Sequence, residues 1–114
     1  MADSPGKDLY ARRVGLLIDG QVDRQVDEFY HEDAVLVSFD KVVRGHDALK
    51  DHFRNFVKWV GLKEVISTDR FTETDHSYFY EATAVTDYGV SRVYDAYYLQ
   101  ESKIVYHFTG VMDQ

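Results

Sequence analysis

The chain has 114 residues, a formal net charge of −7 and no cysteine, and 45% of its residues are hydrophobic. These values predict one globular domain over residues 1–114 and exclude disulfides, thiolate nucleophiles and cysteine-ligated metals. The acidic balance disfavours nucleic acid and anionic membranes as partners, because both attract basic surfaces. No apolar run reaches the roughly 20 residues that span a bilayer, and the polar first seven residues do not resemble a signal peptide, so we expect a cytoplasmic protein.

The first part of the sequence predicts two helices. Ser4 and Pro5 are typical of a helix start, and the apolar residues that follow recur at helical spacing and predict one buried face, formed by Leu9, Tyr10, Val14, Leu17 and Ile18. A break at 19–21 precedes a second helix, whose inward residues are predicted to be Val22, Val26, Phe29 and Tyr30. The polar segment 31–33 is predicted to end this helix.

A hairpin and a longer amphipathic helix come next. Residues 34–39 are rich in strand formers, Asp40 and Lys41 predict a tight turn, and residues 42–43 predict the returning strand. After a break at 44–45, apolar residues again recur at helical spacing, at Leu49, Phe53, Phe56, Val57 and Val60. Gly61 predicts the end of this helix, because glycine tolerates the left-handed backbone angles of a helix terminus.

The pattern after Gly61 is that of strands. Four strands are predicted at 62–72, 78–86, 90–99 and 103–111, with polar turns between them. Helices that precede an antiparallel meander are typical of the α+β class. We therefore expect three N-terminal helices packed in the concave face of a curved, mostly antiparallel mixed sheet, an α+β cone that encloses a pocket.

Several short motifs, taken in order and spacing, resemble one known family. They are Gly20-x-Val22, Phe29-Tyr30, Asp33-Ala34-Val35, Val43-Arg44-Gly45-His46-Asp47-Ala48-Leu49 and Lys103-Ile104-Val105-Tyr106-His107-Phe108. Together they cover nearly the whole chain and look like the SnoaL-like branch of the nuclear transport factor two-like superfamily. The resemblance implies the cone fold. It implies no single reaction, since the superfamily includes ketosteroid isomerases, polyketide cyclases, dehydratases, epoxide hydrolases and non-catalytic binding or assembly domains.

The chemistry of the ketosteroid isomerases is only partly matched. The resemblance implies a carboxylate base on the first strand, a tyrosine on the first helix and a protonated aspartate on a late strand. The base position here is Ser38, which cannot act unassisted as a base near neutral pH. The tyrosine position falls near Arg13 or Val14, with Tyr10 one turn earlier, and only Asp95 matches its counterpart.

The polyketide cyclases provide the second comparison. For them the resemblance implies a histidine and an acid in the last strand. His107 matches the histidine, Phe108 replaces the family's tryptophan, and Thr109 stands where a carboxylate is common.

Asp95 and His107 form the candidate catalytic pair. If residues 100–102 make a three-residue loop, Leu99 faces Lys103 and Asp95 stands directly opposite His107, with their Cβ atoms about 5 Å apart. A two-residue loop would instead place the pair on opposite faces. Inside the pocket, Asp95 would orient the imidazole and raise its pKa, so that His107 could act as a general base. On the outer face the same pair would be structural.

The predicted pocket is lined by aromatic residues, namely Tyr10, Tyr30, Phe39, Phe56, Trp59 and Tyr97. The five histidines have no metal-binding spacing and no glycine-rich phosphate loop is present, so neither a metal nor a cofactor is expected. Aromatic residues on both faces of the strands favour a homodimer. The leading hypothesis is a small organic ligand, apolar or partly polar, held in the cone, with cofactor-free isomerase, cyclase or dehydratase chemistry. The alternative is a non-catalytic ligand-binding or dimerisation domain.

Overall fold

The computed structural model describes residues 5–112. In chain order its elements are α1 (Pro5–Ile18), α2 (Val22–Phe29), β1 (Tyr30–Val37), β2 (Val42–Arg44), α3 (His46–Trp59), β3 (Glu64–Glu73), β4 (Ser77–Thr86), β5 (Gly89–Gln100) and β6 (Lys103–Val111). Three helices pack against a curved, six-stranded mixed sheet, which confirms the predicted α+β class. The predicted helix cap Ser4 lies outside the described residues.

The sheet order is β2-β1-β6-β5-β4-β3. Strands β3 to β6 form the predicted antiparallel meander. Strand β1 pairs antiparallel with β2 and parallel with β6, with Leu36 of β1 beside His107 of β6. This parallel pairing places β1 beside β6 within the sheet and brings residues from distant parts of the chain into one core.

Helix α3 is formed as its apolar spacing predicts. Leu49 and Phe53 are buried in the core, and Phe56 packs partly against it. Gly61 has φ of +67°, and its N–H donates to the carbonyl oxygen of Phe56 at 3.1 Å. The predicted stop at Gly61 is therefore confirmed, with the glycine in the left-handed conformation that a helix terminus requires.

The predicted end of the second helix is wrong. Residues 31–33 do not close α2 but belong to β1, and Tyr30 is the first residue of that strand. Tyr30 has extended backbone angles and pairs with Ile104 of β6, and its side chain is buried. Tertiary pairing with the last strand thus overrides the local helical pattern, which no window of nearby residues could reveal.

The turn between β5 and β6 also differs from expectation. It has two residues, Glu101 and Ser102, at φ of 52° and 65°. Gln100 pairs with Lys103, so the predicted three-residue loop is wrong. Two successive residues at positive φ match the twist of a tight hairpin, and this turn forms here without glycine.

A bulge in β6 restores the orientation that the shorter turn would have reversed. The register with β5 shifts between Ile104 and Tyr106, which leaves Val105 as an extra residue. As a result Ile104 and His107 are both buried although they are three positions apart. His107 lies opposite Tyr97 and points to the helix-covered face of the sheet.

Candidate functional site

A cavity of about 540 Å³ lies between the helices and the inner face of the sheet. This volume is within the usual range for small-molecule sites. Most of its lining is apolar and comes from α1, α3 and the inner faces of β4 to β6. Three polar residues with buried side chains contribute to it, namely Arg13, Asp95 and His107.

A larger depression, of about 710 Å³, lies near the start of α1 and the β3–β4 and β5–β6 turns. Its lining includes exposed polar residues such as Asp8, Thr74 and Glu101. It contains none of the buried polar side chains, so the 540 Å³ cavity is the candidate site.

Three side chains form a hydrogen-bonded chain at the inner end of the cavity. Nε2 of His107 lies 2.7 Å from Oδ1 of Asp95, and Nδ1 of the same ring lies 2.8 Å from the Tyr30 hydroxyl. Asp95 pairs with Thr109 in the ladder, so it meets His107 diagonally across the strands and not directly opposite. Both nitrogens of the imidazole are therefore occupied.

The protons in this chain can be assigned from its chemistry. A carboxylate only accepts hydrogen bonds, so Nε2 is the protonated nitrogen of His107. Burial lowers the pKa of His107, in spite of the opposing effect of Asp95, and the ring is neutral near pH 7. Nδ1 is then an acceptor, and Tyr30, whose pKa is raised by burial, donates to it. His107 thus donates to Asp95 and accepts from Tyr30.

The two members of the pair differ in access to the cavity. The side chain of Asp95 retains 10% of its exposure and that of His107 only 4%. Within residues 5–112, Oδ2 of Asp95 has no hydrogen-bond partner and is not among the fully buried polar atoms. Ring stacking further encloses the imidazole, with the Tyr97 ring 4.1 Å from it. Of the pair, the carboxylate is the more exposed group and the one with an oxygen that accepts no hydrogen bond.

Arg13 is a buried cation at the same cavity. Its residue is only 3% exposed. Nη1 donates to Oε1 of Gln25 at 3.2 Å, and Nη2 donates to the hydroxyls of Tyr80, at 3.3 Å, and Tyr97. The guanidinium also lies over the Tyr97 ring, 5.1 Å from its centroid. The charge is therefore held by neutral oxygens and a π face.

The tyrosines around Arg13 carry no charge. Burial raises the pKa of Tyr80 and Tyr97 well above its ordinary value. Burial also raises the pKa of Tyr78 to about 12. All three are phenols near pH 7, and two of them, Tyr80 and Tyr97, accept hydrogen bonds from the guanidinium without neutralising it.

Solved structures of other proteins share the fold of this chain, although its sequence matches none that is curated. No family model matches the chain, and no curated protein is similar to it in sequence. Solved structures do match. One from Sinorhizobium meliloti, provisionally named a polyketide cyclase, has a TM-score of 0.79 at 11% identity and covers 95% of this chain and 100% of its own. An NTF2-like protein of unknown function from Burkholderia pseudomallei has a TM-score of 0.76 at 13% identity, covering 96% and 92%. The chain has the nuclear transport factor two-like fold.

A third structure with this fold contains a ligand. It is a hypothetical protein with a ketosteroid isomerase-like fold from Catenulispora acidiphila, in complex with trimethylamine. Its TM-score is 0.68 at 8% identity, covering 83% of this chain and 78% of its own. At such identities the nuclear transport factor two-like fold is shown, and the activity of this chain must be argued from its own residues.

Six aromatic residues were predicted to line the pocket, and three of them do line the cavity of the nuclear transport factor two-like fold. Tyr10 and Phe56 lie along its walls. Phe39 lies at its mouth, in the loop between β1 and β2, and is 98% exposed. Ser38, the position of the isomerase base, is also at this mouth, and its hydroxyl donates to Asp40 at 2.8 Å.

The other three predicted pocket residues do not line the cavity. Trp59 is 62% exposed at the end of α3, because it lies outside the buried apolar face of the helix that contains Leu49 and Phe53. Tyr30 and Tyr97 are buried behind the lining, where their hydroxyls hold His107 and Arg13. Their predicted role as walls is corrected to one of support.

Arg13 was not predicted to be a buried group of the site, but only a replacement for the tyrosine that the resemblance implies on the first helix. A signal was present, because Arg13 follows Leu9 and precedes Leu17 by four residues each, in phase with the buried stripe of α1. An arginine at such a position is buried only when the fold supplies acceptors, here from β4, β5 and α2.

Residues 5–112 contain no group of three or more histidine, aspartate or glutamate side chains placed to hold a metal ion. No helix in this range is long and apolar enough to cross a membrane.

Proposed function

We propose that the chain binds a small organic molecule in the cavity and transfers a proton to or from it through Asp95, without a cofactor. The observation that supports this most directly is the carboxylate itself. It is buried, hydrogen-bonded on one oxygen and without a partner on the other, at the wall of an apolar cavity of ligand size. Isomerisation, cyclisation and dehydration all require such a transfer.

The proposal reverses the roles expected from the sequence. His107 has no unoccupied ring nitrogen with which to take a proton from a ligand. Asp95 is therefore the proposed base and proton donor, and His107 is a positioning residue. Tyr30 fixes the tautomer of His107, so that the imidazole always presents an N–H to the carboxylate.

A generic proton-transfer probe tests this proposal without knowledge of the substrate. In 5-nitrobenzisoxazole, a base removes the C–H proton, the N–O bond breaks, and a coloured cyanonitrophenolate forms. We expect the wild-type protein to accelerate this reaction and Asp95→Asn to lose the acceleration. Asp40→Asn is the matched control, because Asp40 is an exposed carboxylate at the mouth of the same cavity. Equal rates for wild type and Asp95→Asn would refute proton transfer by Asp95.

The alternative function is ligand binding without turnover. The absence of a carboxylate at Ser38 favours it, since the family's isomerases place their base there. The fold of the Catenulispora protein, found with trimethylamine, supports the coarser idea that such a cavity holds small molecules. A protein that binds ligands but does not accelerate the probe reaction would support this alternative.

We further propose a cytoplasmic homodimer formed through the outer face of the sheet. Four aromatic side chains on the central strands, each 42–44% exposed, form what we call the outer aromatic patch: Phe79, Tyr98, Tyr106 and Phe108. Tyr98 and Tyr106 are cross-strand partners, and the rings of Tyr106 and Phe108 stack at 6.1 Å. Light scattering should give twice the monomer mass of 13.3 kDa, and Phe108→Glu should give the monomer. A monomeric wild type would refute the dimer.

A further inference from the structure

Two buried residues of opposite charge border the cavity and form no ion pair with each other. In the described range, the buried residues of arginine, aspartate and histidine type are Arg13, Asp95 and His107. The imidazole of His107 is neutral, so Arg13 and Asp95 carry the buried charges. No ion pair within residues 5–112 includes Arg13. A buried cation without an anionic partner is unfavourable, because it has lost its hydration and gained no counter-charge.

The guanidinium of Arg13 also has more N–H groups than the surrounding side chains have acceptors for. A guanidinium has five N–H groups, and three acceptors are supplied, by Gln25, Tyr80 and Tyr97. Nε of Arg13 is buried without an acceptor in the described range, and the same is true of Nε2 of Gln25 and the hydroxyl of Tyr78. Gln25 contacts the guanidinium, and the Tyr78 ring stacks on that of Tyr97 at 4.3 Å. Two unsatisfied polar groups thus neighbour a cation whose own Nε is unsatisfied as well.

We propose that Arg13 recognises an acidic group of the ligand, and that the cavity selects small organic monoanions, in particular carboxylates with an apolar body. The proposal rests on the function above in one respect only, that the cavity holds a small molecule. A carboxylate supplies the acceptor oxygens and the negative charge that the residues around Arg13 lack. The apolar lining suits the rest of such a molecule.

The charges of the cavity also restrict the ligand to a single negative charge. One guanidinium neutralises one carboxylate, and Asp95 at the same cavity would repel a second negative group. A doubly charged phosphate ester would therefore leave one charge buried and unpaired. The same arrangement orients the ligand, with its acidic group at Arg13 and another part of the molecule within reach of Asp95.

The test compares two probes that differ in charge and hardly in shape, 2-naphthoate and 2-naphthamide. Isothermal titration calorimetry near pH 7 should show that wild type binds the naphthoate about ten- to a hundredfold more tightly, as expected for a hydrogen bond to a charged group. Arg13→Gln should abolish this preference. Arg12→Gln is the matched control, because Arg12 is the neighbouring arginine, is exposed and forms an ion pair with Asp8, and the preference should persist in it.

Two further variants keep the test decisive. Arg13→Lys keeps the charge with fewer donors and should retain part of the preference, which covers the case that Arg13→Gln does not fold. Asp95→Asn should bind naphthoate several-fold more tightly, because a like charge is removed from the cavity. It should also lose proton transfer, so failure of the proposed reaction and failure of anion selection are separated. Equal binding of both probes by wild type, or a preference that survives in folded Arg13→Gln, would overturn the proposal.

Discussion

We expect His52 to make the stability of the protein depend on pH. Its side chain lies on α3 at the wall of the cavity, with its ring 5.0 Å from that of Phe53. Burial lowers the pKa of His52 from 6.5 to about 4, and the nearby charge of Lys41 and the imidazole of His107 add to this, while Asp40 opposes it. Folding therefore requires the neutral imidazole, and protonation favours the unfolded chain.

The sign and size of the effect follow from the two pKa values. Because the folded pKa lies below the unfolded one, the unfolded state binds more protons between them, and stability falls as the pH falls below 6.5. Between pH 7.5 and pH 5.0, a shift from 6.5 to about 4 corresponds to a loss of at most about 2 kcal/mol of unfolding free energy from His52, and the partial exposure of the ring to solvent reduces this. This is a large share of the stability of a small domain.

Urea unfolding followed by far-UV circular dichroism, at pH 7.5 and pH 5.0, measures this loss. Wild type should lose up to about 2 kcal/mol more than His52→Gln between the two pH values. His107, whose pKa is also lowered, is present in both proteins and contributes to the loss in each. His76→Gln, at an exposed position between β3 and β4, controls for removal of an imidazole. An equal loss in wild type and His52→Gln would refute the reasoning.

Three further predictions concern packing and the cavity. Tyr30→Phe removes the donor to Nδ1 of His107 and should destabilise the protein by about 1–3 kcal/mol in urea unfolding, with unchanged circular dichroism. Gly61→Ala should destabilise the protein by more than about 1 kcal/mol, because φ is +67° and a Cβ would meet the Asp87 side chain. Gly15→Ala, in α1 with open space around it, should stabilise the protein by roughly 0.5–1 kcal/mol. A lowered melting temperature for Gly15→Ala would contradict this. Ala84→Phe should fill part of the cavity and weaken calorimetric binding of 2-naphthoate at least about tenfold, and undiminished binding would place the ligand elsewhere.

The helices could be predicted well from the sequence because burial in them follows a local period. The stripe of α3, with Leu49 and Phe53 at its centre, is visible in one short window. The same reasoning fails at Tyr30, whose conformation depends on a strand more than 70 residues away. Ile18, predicted to be inward on α1, is exposed at the last position of the helix, where the partner surface has ended.

The contact between Asp95 and His107 was predictable from the sequence, but its geometry and the buried Arg13 were not. Asp95 and His107 do contact each other, as the pairing of adjacent strands suggested. The predicted register was wrong, because the turn is one residue shorter than expected and Val105 is an extra residue in β6. Their effects on which face His107 occupies cancel, and neither feature is marked in the sequence by a glycine. Nor could the sequence show that Tyr30 occupies the second nitrogen of the imidazole, a fact that moves the proposed base to the carboxylate.

The bulge at Val105 determines which face of the sheet His107 occupies. Side chains alternate between faces every residue, so regular pairing of Val105 in place of the bulge would send His107 outward and bring Tyr106 and Phe108 into the cone. Deletion of one residue at the bulge would instead restore a regular ladder and keep the histidine inside. Related chains that retain this pair should therefore either have both the extra residue and the bulge or lack both.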